Sequence, residues 1–147
     1  MKRYGKYILF LLWLIAIIVY PALISIYVKL PLFIGFSGLI FIRGLEKERY
    51  TLTLIAFLYM ILLEINLSLP IGLIAIVSLL CYIFLISKLT ILKNCQKCID
   101  VIGVISINAI YMFMLSFFDI LTSQSSIDFN VTILYSILFD IVAVFLI

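Results

Sequence analysis

Residues 50–88 read YTLTLIAFLYMILLEINLSLPIGLIAIVSLLCYIFLISK. An apolar run ends on Glu64, a polar corner follows through Asn66, Ser68 and Pro70, and Gly72 opens a second apolar run. That pattern is a helical hairpin in a membrane with a lone acid at its bend, and the rest of the chain is read outward from it. The composition points the same way. Of 147 residues, 67% are apolar and none is histidine. A soluble fold of this size buries only part of its surface and could not hide so much apolar area. A membrane β-barrel would alternate polar and apolar residues, whereas these runs are solidly apolar. The fold class expected is an all-α integral membrane bundle in one domain.

Upstream, Lys2, Arg3 and Lys6 precede an uncharged run from Tyr7 to Val28. It is long enough to span about 30 Å of hydrocarbon at 1.5 Å per residue. The run is too long for a cleaved signal and no small-x-small cleavage site follows, so it reads as a retained first helix, with Pro21 a possible kink. Lys29, Leu30 and Pro31 read as a corner, with Pro31 suited to the first turn of a short second helix, 30–43. A charged break from Arg43 to Arg49 leads into the third helix, 50–64. A re-entrant tip would carry these charges into hydrocarbon at a few kcal/mol each. Two short spans joined by a turn, with Arg43 and Arg49 snorkelling to the interface, are therefore preferred. The fourth, fifth and sixth helices are expected at 70–87, 99–121 and 129–147. Lys88, Lys93 and Lys97 lie in the loop before the fifth, and a polar turn edged by Asp119 and Asp128 precedes the sixth.

Positive charge sorts onto one side of these spans. With the N-terminus inside, the inner segments hold all the lysines and arginines except Lys29, a positive-inside pattern. Six helices with both termini cytoplasmic follow. The net charge of +3 thus reports topology, and no nucleic-acid partner is expected. No internal repeat is visible. Aromatics near span ends, at Tyr4, Tyr7, Tyr27, Tyr50 and Phe129, fit the interfacial belt. The sequons at Asn66 and Asn130 lie too close to the membrane to signify glycosylation.

Chemistry is sparse. There is no histidine, no nucleotide loop and no nucleophile with a base, so catalysis, cofactors and metals are not expected. Cys95-Gln-Lys-Cys98 is a lone CxxC; a zinc site needs four ligands, and the pair reads as ordinary loop cysteines. Glu64 is open between an interfacial acid in contact with water and a docking determinant. Asp140 lies within the last apolar run, at a depth similar to Asn108 in the fifth helix. Either it faces the bundle and bonds Asn108, or it sits near a thinned inner surface.

The hairpin resembles the MreD family of bacterial rod-shape-determining membrane proteins. The shared features are a third helix ending in an acid (Glu64), a short corner (Ile65 to Leu69), a Gly-hydrophobic step opening the next helix (Pro70 to Leu73), and a run toward Tyr82. Leu30-Pro31, the basic turn and the six-helix layout agree as well. Departures are Glu for the family's Asp, Asn66, Ser68 and Pro70 for its corner glycines, and no basic tail; the likeness covers about 30–87. The resemblance implies a non-catalytic adaptor of the cell-elongation machinery in the bacterial inner membrane. It would associate with an MreC-like protein and through it with a RodA-type glycosyltransferase, a penicillin-binding transpeptidase and the MreB filament. The Glu64–Gly72 corner and the Arg43–Arg49 turn would be its docking features, and the bundle would offer grooves to partner helices.

The alternative class is a substrate-binding membrane subunit of an energy-coupling-factor uptake transporter. Against it stand the lack of small-xxx-small spacing in the first helix and the few polar groups, Glu64, Asn66 and Ser68, available to bind a solute outside. A proton-linked carrier using Asp140 would need inverted repeats or broken helices, and neither is visible.

Overall fold

The computed structural model describes residues 2–27, 29–86, 94–123 and 129–146. Among them are six α-helices and no strand: α1 Lys2–Ile26, α2 Ile34–Glu46, α3 Tyr50–Asn66, α4 Leu73–Cys81, α5 Gln96–Thr122 and α6 Phe129–Leu146. A π-helical turn, Tyr82–Ile86, continues α4. Two helical stretches, Tyr4–Ile26 and Gln96–Thr122, are long and apolar enough to cross a membrane. Lys88, Lys93, Asp128 and Ile147 lie outside the described residues.

The hub of the bundle is α2, not the hairpin on which the sequence centres. It packs against α3, α4, α5 and α6, while α3 and α4 hardly touch each other. The residues explain this. Gly35, Ser37, Gly38, Leu39, Phe41, Ile42 and Gly44 are all buried, and Phe36, Ile40 and Arg43 are half-buried, so no residue of α2 is exposed before Leu45. A helix apolar on every side belongs in a core. Its small residues also let neighbours come close. A Cβ on Gly38 would lie 2.8 Å from Ser78 Oγ and 3.0 Å from Ile107 Cδ1, and one on Gly44 would lie 3.0 Å from the Thr53 backbone N. Close approach at small residues is the packing mode of helices in lipid. Around α2, Ile34, Ile42, Met60, Leu63, Ile74, Val77, Ile107 and Tyr111 form one core.

At the other extreme, α1 packs chiefly on α3. Among its described side chains only Pro21 and Ile24 are buried, and Tyr4 to Trp13 are exposed. Pro21 sits inside the helix without ending it.

Several boundaries differ from expectation. Pro31 is not in the first turn of α2, which begins at Ile34, because Phe33 takes a left-handed φ of 50° and cannot be helical. Pro70 likewise precedes α4, which starts only after Gly72 at φ 88°. In the other direction, α5 begins at Gln96 rather than Ile99 and so draws Cys98 into its first turn, with Asp100 just beyond it.

Candidate functional site

Two buried carboxylates organise the interior, and each holds the start of a short helix. A helix leaves its first N–H groups without partners, and these groups together with the dipole favour negative charge. Glu64, near the end of α3, is fully buried. Its Oε2 accepts the Gly72 N–H at 2.5 Å and its Oε1 accepts the Ile74 N–H at 2.7 Å. Glu64 thus caps α4 from the preceding helix. The corner between them closes locally: Ser68 takes φ 54°, and the Leu69 N–H returns to the Glu64 carbonyl at 2.9 Å. Gly72 is required by its left-handed backbone, since a Cβ there would meet nothing within 4 Å.

Asp140 does the same for α2. It is fully buried, and its Oδ2 accepts the Gly35 N–H at 3.1 Å and the Asn108 Nδ2 at 2.9 Å. Asn108 also donates to the Val104 carbonyl at 3.0 Å. One turn before Asp140, Ser136 Oγ accepts the Leu32 N–H at 3.1 Å. The carbonyls of the same strip are taken by tyrosines: Tyr20 donates to Pro31 at 2.7 Å and Tyr59 to Leu32 at 3.0 Å. Residues 31–33 are therefore non-helical backbone held by side chains from α1, α3 and α6, which is how such backbone survives in an apolar interior. Gly35 is obligatory for contact, because a Cβ there would come within 2.8 Å of Val104 Cγ1 and 2.9 Å of Asp140 Oδ2. Asn108 Oδ1, Asp140 Oδ1 and the Tyr111 hydroxyl are buried without a hydrogen-bond partner.

The opposite end of α2 is fixed by charge. Arg43 forms an ion pair with Asp100, just past the first turn of α5. Arg43 therefore turns into the bundle instead of reaching outward from the charged turn. Arg49 is exposed and ends that turn, its N–H bonding the Gly44 carbonyl at 2.9 Å.

Of the residues singled out from sequence, the structure brings Asp140 and Asn108 together, as their depths suggest. It brings Glu64 to Gly72 but not to Asn66, which is exposed and bonds the Leu62 carbonyl of its own helix at 2.7 Å. The water-exposed reading of Glu64 fails because α4 starts directly over the carboxylate. The thinned-surface reading of Asp140 fails because α2 covers it. The loop-cysteine reading fails as well: Cys95 and Cys98 form a disulfide. Sequence reasoning passed over Asp100, Ser136, Tyr20 and Tyr59. Asp100 had a usable signal, as an acid at the start of an apolar run on the same expected side of the membrane as the basic Arg43–Arg49 turn. Ser136 had one too, four residues before Asp140 and so on the same helix face.

A cavity of about 390 Å³ opens between α1, α2, α3 and α6. Its wall is apolar, including Trp13, Ile17, Phe36, Ile40 and Ala143. The polar side chains in it, Tyr20, Tyr59 and Ser37, already donate to backbone carbonyls of residues 31–34. No group of three or more His, Cys, Asp or Glu side chains is placed to hold a metal among the described residues. No protein-family model, curated protein or solved structure matches the chain.

Proposed function

We propose that the chain is a six-span adaptor of the bacterial inner membrane, MreD-like, with both termini cytoplasmic, serving the cell-elongation machinery through an MreC-like protein and its wall-synthase partners. The observation that carries this reading is the character of the large cavity. Its wall is apolar, and its hydroxyls are already engaged within the protein. A solute-binding subunit needs a few convergent polar groups free to orient a ligand. An adaptor needs an apolar groove into which a partner's transmembrane helix can pack.

Supporting features lie elsewhere. Tyr7 to Leu12 of α1 and Phe113, Phe117 and Leu121 of α5 are exposed apolar side chains, suited to lipid or to partner helices. Glu64 and Gly72, the residues on which the MreD resemblance rests, are accounted for as a cap on α4. A carrier using Asp140 would share the buried acid beside non-helical backbone. Here the Asp140 Oδ2 is bound to Gly35 and Asn108, and the cavity bounded by nearby Phe36 and Ala143 is apolar.

Affinity purification of the tagged chain from native membranes, with mass spectrometry of what accompanies it, tests the proposal. MreC-like and RodA-type proteins are expected. Recovery of ATPase subunits with a membrane coupling protein would replace the adaptor by an uptake subunit.

A further inference from the structure

The disulfide between Cys95 and Cys98 spans the first turn of α5. Cys95 caps that helix, and its carbonyl accepts the N–H groups of Cys98 at 3.1 Å and Ile99 at 3.2 Å. Cys98 is exposed and Cys95 is half-buried. The remaining cysteine, Cys81, is free but buried in α4, so it is shielded from exchange with the pair.

A brace is a poor account of this bond. The gain from a cross-link grows with the length of loop it closes, and this loop is nearly as short as one can be. The turn it spans is already held by helical hydrogen bonds and, two residues on, by the Arg43–Asp100 ion pair. Its setting suits chemistry better. The more accessible sulfur is Cys98. Exposed Lys97 is its neighbour in the chain, and Gln96 and Lys97 also line a small cleft of about 210 Å³ together with the paired Arg43 and Asp100. A sulfur released at Cys95 sits at the start of a 27-residue helix, where the free amides and dipole stabilise negative charge.

We propose that Cys95–Cys98 is a reversible thiol–disulfide exchange site that accepts electrons from a protein dithiol. The donor's thiolate attacks the Cys98 sulfur, the S–S bond breaks, and the electron pair leaves with Cys95 as thiolate. The donor's second thiolate then attacks the mixed disulfide and releases Cys98. The donor becomes a disulfide, this chain a dithiol, and two electrons and two protons have moved. The chemistry is independent of the adaptor reading; only the compartment, the cytoplasmic side, rests on the orientation proposed above. Exchange would take place within one turn of the ion pair that joins α5 to α2.

The test uses the full chain in lipid nanodiscs with reduced thioredoxin as the probe dithiol. An equimolar amount is expected to expose two maleimide-reactive thiols per folded chain within minutes, and oxidised glutathione to remove them. A disulfide that survives a tenfold excess of the probe and opens only after denaturation would overturn the proposal. With a thioredoxin variant lacking its resolving cysteine, acid-trapped mixed disulfide is expected on Cys98. A mixed disulfide on Cys95 would overturn the assigned order of attack.

Discussion

Asp140 and Glu64 each hold backbone amides at the start of a short helix, and this decides what substitution costs. Asp140→Leu strands the Gly35 N–H and the Asn108 amide. A buried donor left unpaired costs about 1–3 kcal/mol, so a loss of about 3 kcal/mol in folding stability is expected in a detergent-denaturation titration. Asp140→Asn keeps an acceptor and should lose less than half as much. If the two variants lose equally, the hydrogen bonds to α2 are not what Asp140 contributes. Gly35→Ala should cost about 1–3 kcal/mol by overpacking against Val104 and Asp140, whereas Gly72→Ala should cost about 1–2 kcal/mol through backbone conformation alone. At this scale part of the site was legible. A carboxylate in an apolar run must find a partner, and Asn108 was the polar side chain at matching depth. That the partner also includes the amides of α2 was not legible, because backbone N–H groups carry no sequence signature.

The short helices α2 and α4 are built alike. Each follows a Leu-Pro step, Leu30-Pro31 or Leu69-Pro70. Each is preceded by a residue at positive φ, Phe33 or Gly72, and each has its first amides held by a carboxylate from another helix. The likeness escapes a search for repeats because α3 supplies the second acid and α6 the first. For the same reason the start of α2 was misplaced: proline at the first helical position is a sound local rule, and tertiary hydrogen bonds from Tyr20, Tyr59 and Ser136 override it. The two hydroxyls bond consecutive carbonyls and their rings stack 6.5 Å apart, so their losses are expected to couple rather than add. Tyr20→Phe and Tyr59→Phe are each expected to cost about 0.6–1.7 kcal/mol, read from the shift in thermal midpoint. At the other end of α2, Arg43→Leu leaves Asp100 buried without its cation, and a loss of about 3 kcal/mol is expected. The double variant Arg43→Leu with Asp100→Leu should recover more than half of it in the same titration. No recovery would mean that the pair is not the link between α2 and α5.

For the whole molecule, composition and run lengths were enough to give an all-helical bundle with helices near the observed places. The centre of gravity was not. The hairpin stands out in the sequence for the lone acid at its bend, yet buriedness follows from small residues spaced along α2, at Gly35, Gly38 and Gly44, and α2 is the element every later helix needs. A bundle assembled this way keeps its polar groups inside and presents apolar surfaces outward, which is why the groove beside α1 is the place to look for a partner. The most direct test puts a benzoyl-phenylalanine photocrosslinker at Trp13, on the groove wall, and another at Phe113, on α5 outside it, in cells of the native host. The account predicts adducts to the transmembrane segment of an MreC-like or RodA-type protein from position 13 and only lipid adducts from position 113. Lipid adducts alone from both positions, or adducts to a transporter's coupling protein from position 13, would contradict it.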